Sequence, residues 1–122
     1  MQIEENSMLF NVLKAIEGIA SKEYQRRVWI EGRGPECDDL DDTADFFIDV
    51  GKVLLKEFKD FNITENQRFL LQTLWDEFNQ FFFSSNRLYF PDEFIDTPEW
   101  TKITEMAKEV LKAFHWKTPD QD

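Results

Sequence analysis

Apolar residues recur three and four positions apart along most of the chain, and strand-like alternation is scarce. Leu9, Val12, Leu13, Ile16 and Ile19 mark one face of a first helix, for which Asn6 or Ser7 can supply the cap. Ser21 can start a second, short helix through YQRRVW, and the glycines and proline of EGRGPE then break the chain into a loop. A third helix is predicted from about Asp39 to Asp60, followed by the turn DFNI. Thr64 and Gln67 have the spacing of a capping box and open a fourth helix, with Leu70, Leu71, Leu74, Phe78, Phe81 and Phe82 as its stripe. Pro91 pushes Phe90 away from helical conformation, so SSNRLYFPDEF is predicted to be an irregular connection. Thr97 caps a last helix that has Pro98 at its favoured first position and Ile103, Met106, Ala107, Val110, Leu111 and Phe114 inside. No internal repeat is visible. The pattern predicts an all-α fold, a single-domain bundle of four or five helices over residues 1–122, with frayed ends at about 1–6 and 117–122.

Composition sharpens this picture. The 122 residues suffice for one core, and 13 Phe, four Trp and two Tyr make that core aromatic. A hydrophobic share of 42% argues against intrinsic disorder. No apolar run approaches the roughly 20 residues that a membrane helix needs. The acidic start, MQIEENSMLF, fits neither a secretory signal nor an arginine-rich transit peptide. A single cysteine excludes an intramolecular disulfide. These features lead to the expectation of a soluble, cytoplasmic protein.

The net charge of −11 is unevenly spread. Glu36, Asp38, Asp39, Asp41, Asp42, Asp45 and Asp49 lie in one segment that contains no basic residue. Placed on a helix at about 100° per residue, Asp38, Asp41, Asp42, Asp45 and Asp49 share an arc of about 100°. Leu40, Ala44, Phe47, Leu54 and Phe58 point the opposite way, so a core face backs a ridge of carboxylates. The plain alternative is a solvated helix face. Acids in a first turn interact favourably with the helix dipole, by about 0.3–1 kcal/mol each, which accounts for Asp38 to Asp42 but not for Asp45 and Asp49. The like-charge neighbours 38/41, 38/42, 41/45, 42/45 and 45/49 together cost on the order of 1–2.5 kcal/mol. Folding alone would favour a lysine among them.

A ridge of this kind can bind a metal or a basic partner. Asp38, Asp39 and Asp42 spell DDxxD, the pattern by which terpenoid synthases hold magnesium, but the second metal motif and the large cavity of that chemistry are missing. The calcium-loop pattern fails because its acids do not alternate and its glycine is absent. A cationic protein surface suits the ridge better, since carboxylates about 5–6 Å apart can imitate a phosphate backbone. Glu36, Asp38, Asp39, Asp41, Asp42, Asp45, Asp49 and Tyr89 are therefore the candidate partner-binding residues. Tyr24 and Trp29 could add aromatic contacts, although VWI also has the character of a core plug. Arg26, Arg27 and Arg33 could answer acids on a partner or pair with the chain's own ridge.

Catalytic chemistry finds little support. His115 is the lone histidine and stands at the end of the last helix. Cys37 sits between Glu36 and Asp38, where negative charge disfavours the thiolate. Ser7, Ser21, Ser84 and Ser85 fit caps or loops, and no phosphate loop or glycine fingerprint is present. The expectation is a protein that is not an enzyme and uses no cofactor or metal.

Two stretches, YQRRVWIEGRGPECDDLDDTADFF and PDEFIDTPEWTKITEMAKEVLKAF, resemble the small acidic immunity proteins of bacterial polymorphic toxin systems, of the contact-dependent growth inhibition and colicin types. The resemblance implies an inhibitor in the cytoplasm that binds one cognate basic toxin domain, commonly a nuclease. The concentrated negative charge itself repels nucleic acid and lipid head groups, so no direct contact to nucleic acid or membrane is expected. Such proteins often cover the toxin's basic site with acidic residues, and the Asp38–Asp49 ridge is the part of this chain that matches. A nucleic-acid mimic that inhibits a host or defence complex, of the anti-restriction or anti-CRISPR type, would use the same carboxylates. A helical subunit of a larger assembly would instead rely on its aromatic surface.

Overall fold

In the structure, a computed structural model, residues 7–35, 38–84 and 90–116 are described. They form six α-helices and no strand, so the domain is all-α: α1 (Met8–Ala20), α2 (Lys22–Tyr24), α3 (Leu40–Lys56), α4 (Glu65–Phe82), α5 (Pro91–Phe94) and α6 (Pro98–Ala113). The four long helices, α1, α3, α4 and α6, close a ring in which α1 packs on α3, α3 on α4, α4 on α6 and α6 on α1. Helices α3 and α6 are therefore diagonal. The ends expected to fray, at about 1–6 and 117–122, and with them the alternative cap Asn6, lie outside the described residues.

Local sequence explains where the helices start. Ser7 accepts from Phe10 N, Ser21 from Tyr24 N, Thr64 from Gln67 N and Thr97 from Trp100 N, each satisfying an amide that the helix itself cannot. The capping box of α4 is complete, because Gln67 Oε1 also accepts from Thr64 N at 2.9 Å. Gln67 Nε2 then donates to Ala113 O at 3.0 Å and ties the start of α4 to the end of α6.

Three elements differ from the expectation. Within SSNRLYFPDEF, expected to be irregular, Pro91–Phe94 forms the short helix α5, with Pro91 at its favoured first position. Tyr24 is followed not by more α-helix but by a π-helical segment, Gln25–Ile30, beyond which Gly32 takes φ 64 and turns the chain away. The third helix stops at Lys56 rather than near Asp60. A 3₁₀ turn, Phe58–Phe61, follows, and Asn62 closes it in the left-handed region at φ 58.

The core is aromatic. Trp100, fully buried, meets Phe94 at 4.9 Å, Phe81 at 5.4 Å and Phe78 at 6.0 Å between ring centroids, and Phe78 meets Phe47 of α3 at 5.1 Å. Each fully buried large side chain contributes about 1.5–3 kcal/mol. Trp116 closes the far end, with its ring 5.2 Å from Phe10 and its Nε1 donating to Glu17 at 2.7 Å.

Candidate functional site

The acidic segment divides into two parts with different surroundings. Asp38 precedes α3 instead of standing on its outer face, because the helix begins only at Leu40. Its half-buried carboxylate accepts from Tyr24 Oη at 2.7 Å, Trp29 Nε1 at 3.2 Å and Thr43 Oγ1 at 2.9 Å. Asp38 thus joins the π-helical segment to the first turn of α3. Asp39 is the N-cap, accepting from Asp42 N at 2.8 Å. The DDxxD trio therefore does not converge, and no group of three metal-ligating side chains occurs among the described residues.

Asp41, Asp42, Asp45 and Asp49 remain as a row on solvent. The buried face of α3 is Leu40, Thr43, Ala44, Phe47, Gly51, Leu54 and Leu55, which turns all four carboxylates outward. None of the four makes an ion pair with another described residue. Without Asp38, the like-charge neighbours are 41/45, 42/45 and 45/49, an unfavourable contribution of about 0.6–1.5 kcal/mol. Lys52 and Lys56 lie further along the same helix and do not bridge back to the acids.

The arginines find partners beyond this row. Arg26 pairs with Asp96 at 2.7 Å, Arg27 with Glu23 at 3.1 Å, and Arg33 with Glu31. The aromatic candidates Tyr24 and Trp29 are half-buried and engaged: their rings stand 6.1 Å apart, and Trp29 lies 6.4 Å from Trp100. VWI is thus largely a packing unit. Glu36, Cys37 and Tyr89 lie outside the described residues. His115 is exposed at the end of α6 with φ 56.

Helix periodicity alone did not single out the exposed aromatics. Phe69, Phe83 and Phe90 are 66%, 74% and 66% exposed, and Phe83 follows directly on the apolar stripe of α4. Elsewhere, a cleft of about 410 Å³ opens between the end of α1 and α6, with Ser21, Lys22, Thr104 and Lys108 in its walls. Thr104 Oγ1 is buried there without a hydrogen-bond partner. This cleft is remote from the outer face of α3, since α6 and α3 are diagonal in the ring.

No protein-family model, curated protein or solved structure matches this chain. No helix among the described residues is long and apolar enough to cross a membrane.

Proposed function

We propose that this protein is an inhibitor of the immunity type, which binds a cognate basic toxin domain in the cytoplasm and neutralises it by stoichiometric blockade. A nuclease is the toxin class whose cationic groove best complements a row of carboxylates. The observation that carries this proposal is the row Asp41, Asp42, Asp45 and Asp49: exposed, directed outward by the buried face of α3, and free of ion pairs with other described residues. Such a row costs the isolated protein stability, and a cationic partner would convert that cost into attraction. The resemblance of residues 24–47 and 91–114 to immunity proteins points the same way. Asp38 and Asp39 support the row from behind, by fixing the loop and capping the helix.

The test is affinity capture at low salt, with the wild type beside a variant in which Asp41, Asp42, Asp45 and Asp49 are Asn. Recovery of a basic toxin domain by the wild type alone supports the proposal. Recovery of a nucleic-acid-processing complex in its place would move the assignment to a nucleic-acid mimic. Equal capture by both baits would reduce the acidic face to solvation and defeat the proposal.

A further inference from the structure

Helices α3 and α4 are antiparallel neighbours, and their register can be read from three contacts. Phe47 meets Phe78, an added Cβ at Gly51 would lie 3.1 Å from Trp75, and Trp75 Nε1 donates to Ile48 O at 3.0 Å. Residue numbers facing one another thus sum to about 125, which sets Phe83 level with Asp42 and Thr43. At about 100° per residue, Phe83 stands some 140° from Phe78, on the side of α4 that adjoins α3. Asp41 and Asp45 stand about 100° and 140° from Leu40, on the side of α3 that adjoins α4. Phe83 therefore shares the outer face of this helical hairpin with the acidic row. Half-buried Ile48 and Trp75 continue the apolar seam between the two helices.

We infer that Phe83, with the Ile48–Trp75 seam below it, is an apolar docking point for a basic protein surface, gripped on one side by Asp41 and Asp45. This rests on the proposed function and specifies its partner: a cationic surface that also offers an apolar recess, not a uniformly charged groove. Charge complementarity selects that occupant. A second copy meeting this face with its own would set four aspartates against four. An anionic membrane is repelled by the same charges. A basic protein neutralises the row while its recess removes the 74% exposed ring from water, the arrangement in which one aromatic side chain dominates an interface.

Two synthetic basic helices of equal length and charge provide the probe, one with a leucine face and one with alanine in its place. Titrated against the whole chain, the leucine helix should bind about tenfold more tightly. Phe83→Ser should bring that ratio close to one. Phe69→Ser, at the opposite end of α4, should leave it unchanged. Replacing the four aspartates by Asn should weaken both helices alike and preserve the ratio. A ratio insensitive to Phe83→Ser overturns this inference while leaving the acidic-face proposal standing. Unchanged affinities in the Asn variant defeat that proposal itself. Should Phe83→Ser lower the melting midpoint, contacts in wild type between the Phe83 ring and the leucine methyls, detected by nuclear Overhauser effects, decide instead. Their absence overturns the inference, as does a wild-type dimer that Phe83→Ser dissociates.

Discussion

Gln25 Oε1 accepts a hydrogen bond from Trp100 Nε1 at 2.9 Å, joining two fully buried side chains that lie 75 residues apart. The amide of the same Gln25 donates to the carbonyls of Gly18 and Ile19, at 3.0 and 2.9 Å, and so finishes the end of α1. One polar side chain satisfies three buried groups from two helices, and the π-helical segment delivers it to that position. Gln25→Leu would keep the volume but strip Trp100 Nε1 and Ile19 O of this partner, while Gly18 O would keep its bond from Ser21 N. The expected loss is about 3 kcal/mol, at about 1–3 kcal/mol for each buried group left unpaired with partial relaxation. Urea denaturation should show it as a lower midpoint with an unchanged slope.

Asp38 and Asp45 carry the same charge and should behave differently. Asp38→Asn weakens charge-assisted bonds to Tyr24, Trp29 and Thr43, at an expected cost of about 1–2 kcal/mol in stability. Asp45→Asn relieves repulsion from Asp41, Asp42 and Asp49 and should be neutral or slightly stabilising. Binding to the captured partner should reverse that order, falling more for Asp45→Asn. Equal losses of affinity would place Asp38 in the interface.

Asp45→Lys extends the comparison. Three repulsive neighbours become attractive ones, so stability at low salt should rise by about 1 kcal/mol. The gain should vanish near 1 M salt, where screening acts within about 3 Å. Affinity for a basic partner should fall by at least tenfold. A protein made more stable and less active by one exposed substitution is the signature of a face kept acidic for binding.

Gly51 offers a test of helix packing. Alanine there would gain about 1 kcal/mol in helix propensity, yet its Cβ would meet Trp75 Cδ1 at 3.1 Å. Trp75 is held by its bond to Ile48 O, and withdrawing would stretch that bond. Gly51→Ala should therefore destabilise by about 1 kcal/mol, and in a Trp75→Leu background it should stabilise by a similar amount. Thermal melts of the four proteins complete the cycle.

Much of the fold was legible in the chain itself. Helix starts at Ser7, Ser21, Thr64 and Thr97 depend on side chains within three residues of the amides they satisfy, so local chemistry determines them. The buried stripe of α1 follows from helical period alone, and the same period puts Leu71, Leu74 and Phe78 of α4 and Ile103, Ala107, Val110 and Leu111 of α6 inside. The outward turn of Asp41, Asp42, Asp45 and Asp49 was equally legible, because Leu40, Ala44, Phe47 and Leu54 had to face inward.

Tertiary structure decided the rest. Asp38 belongs to the acidic run in sequence but leaves it in space, because Tyr24 and Trp29, 14 and 9 residues away, supply donors that local pattern cannot reveal. The π-helical segment exists where Gln25 can reach both the end of α1 and Trp100, a demand set by three separated parts of the chain. Phe83 follows the apolar stripe of α4 without belonging to it, and only the geometry of the bundle places it beside the acids. Period and capping act over one turn and are written in neighbouring residues, whereas which face stays open depends on where the other helices pack.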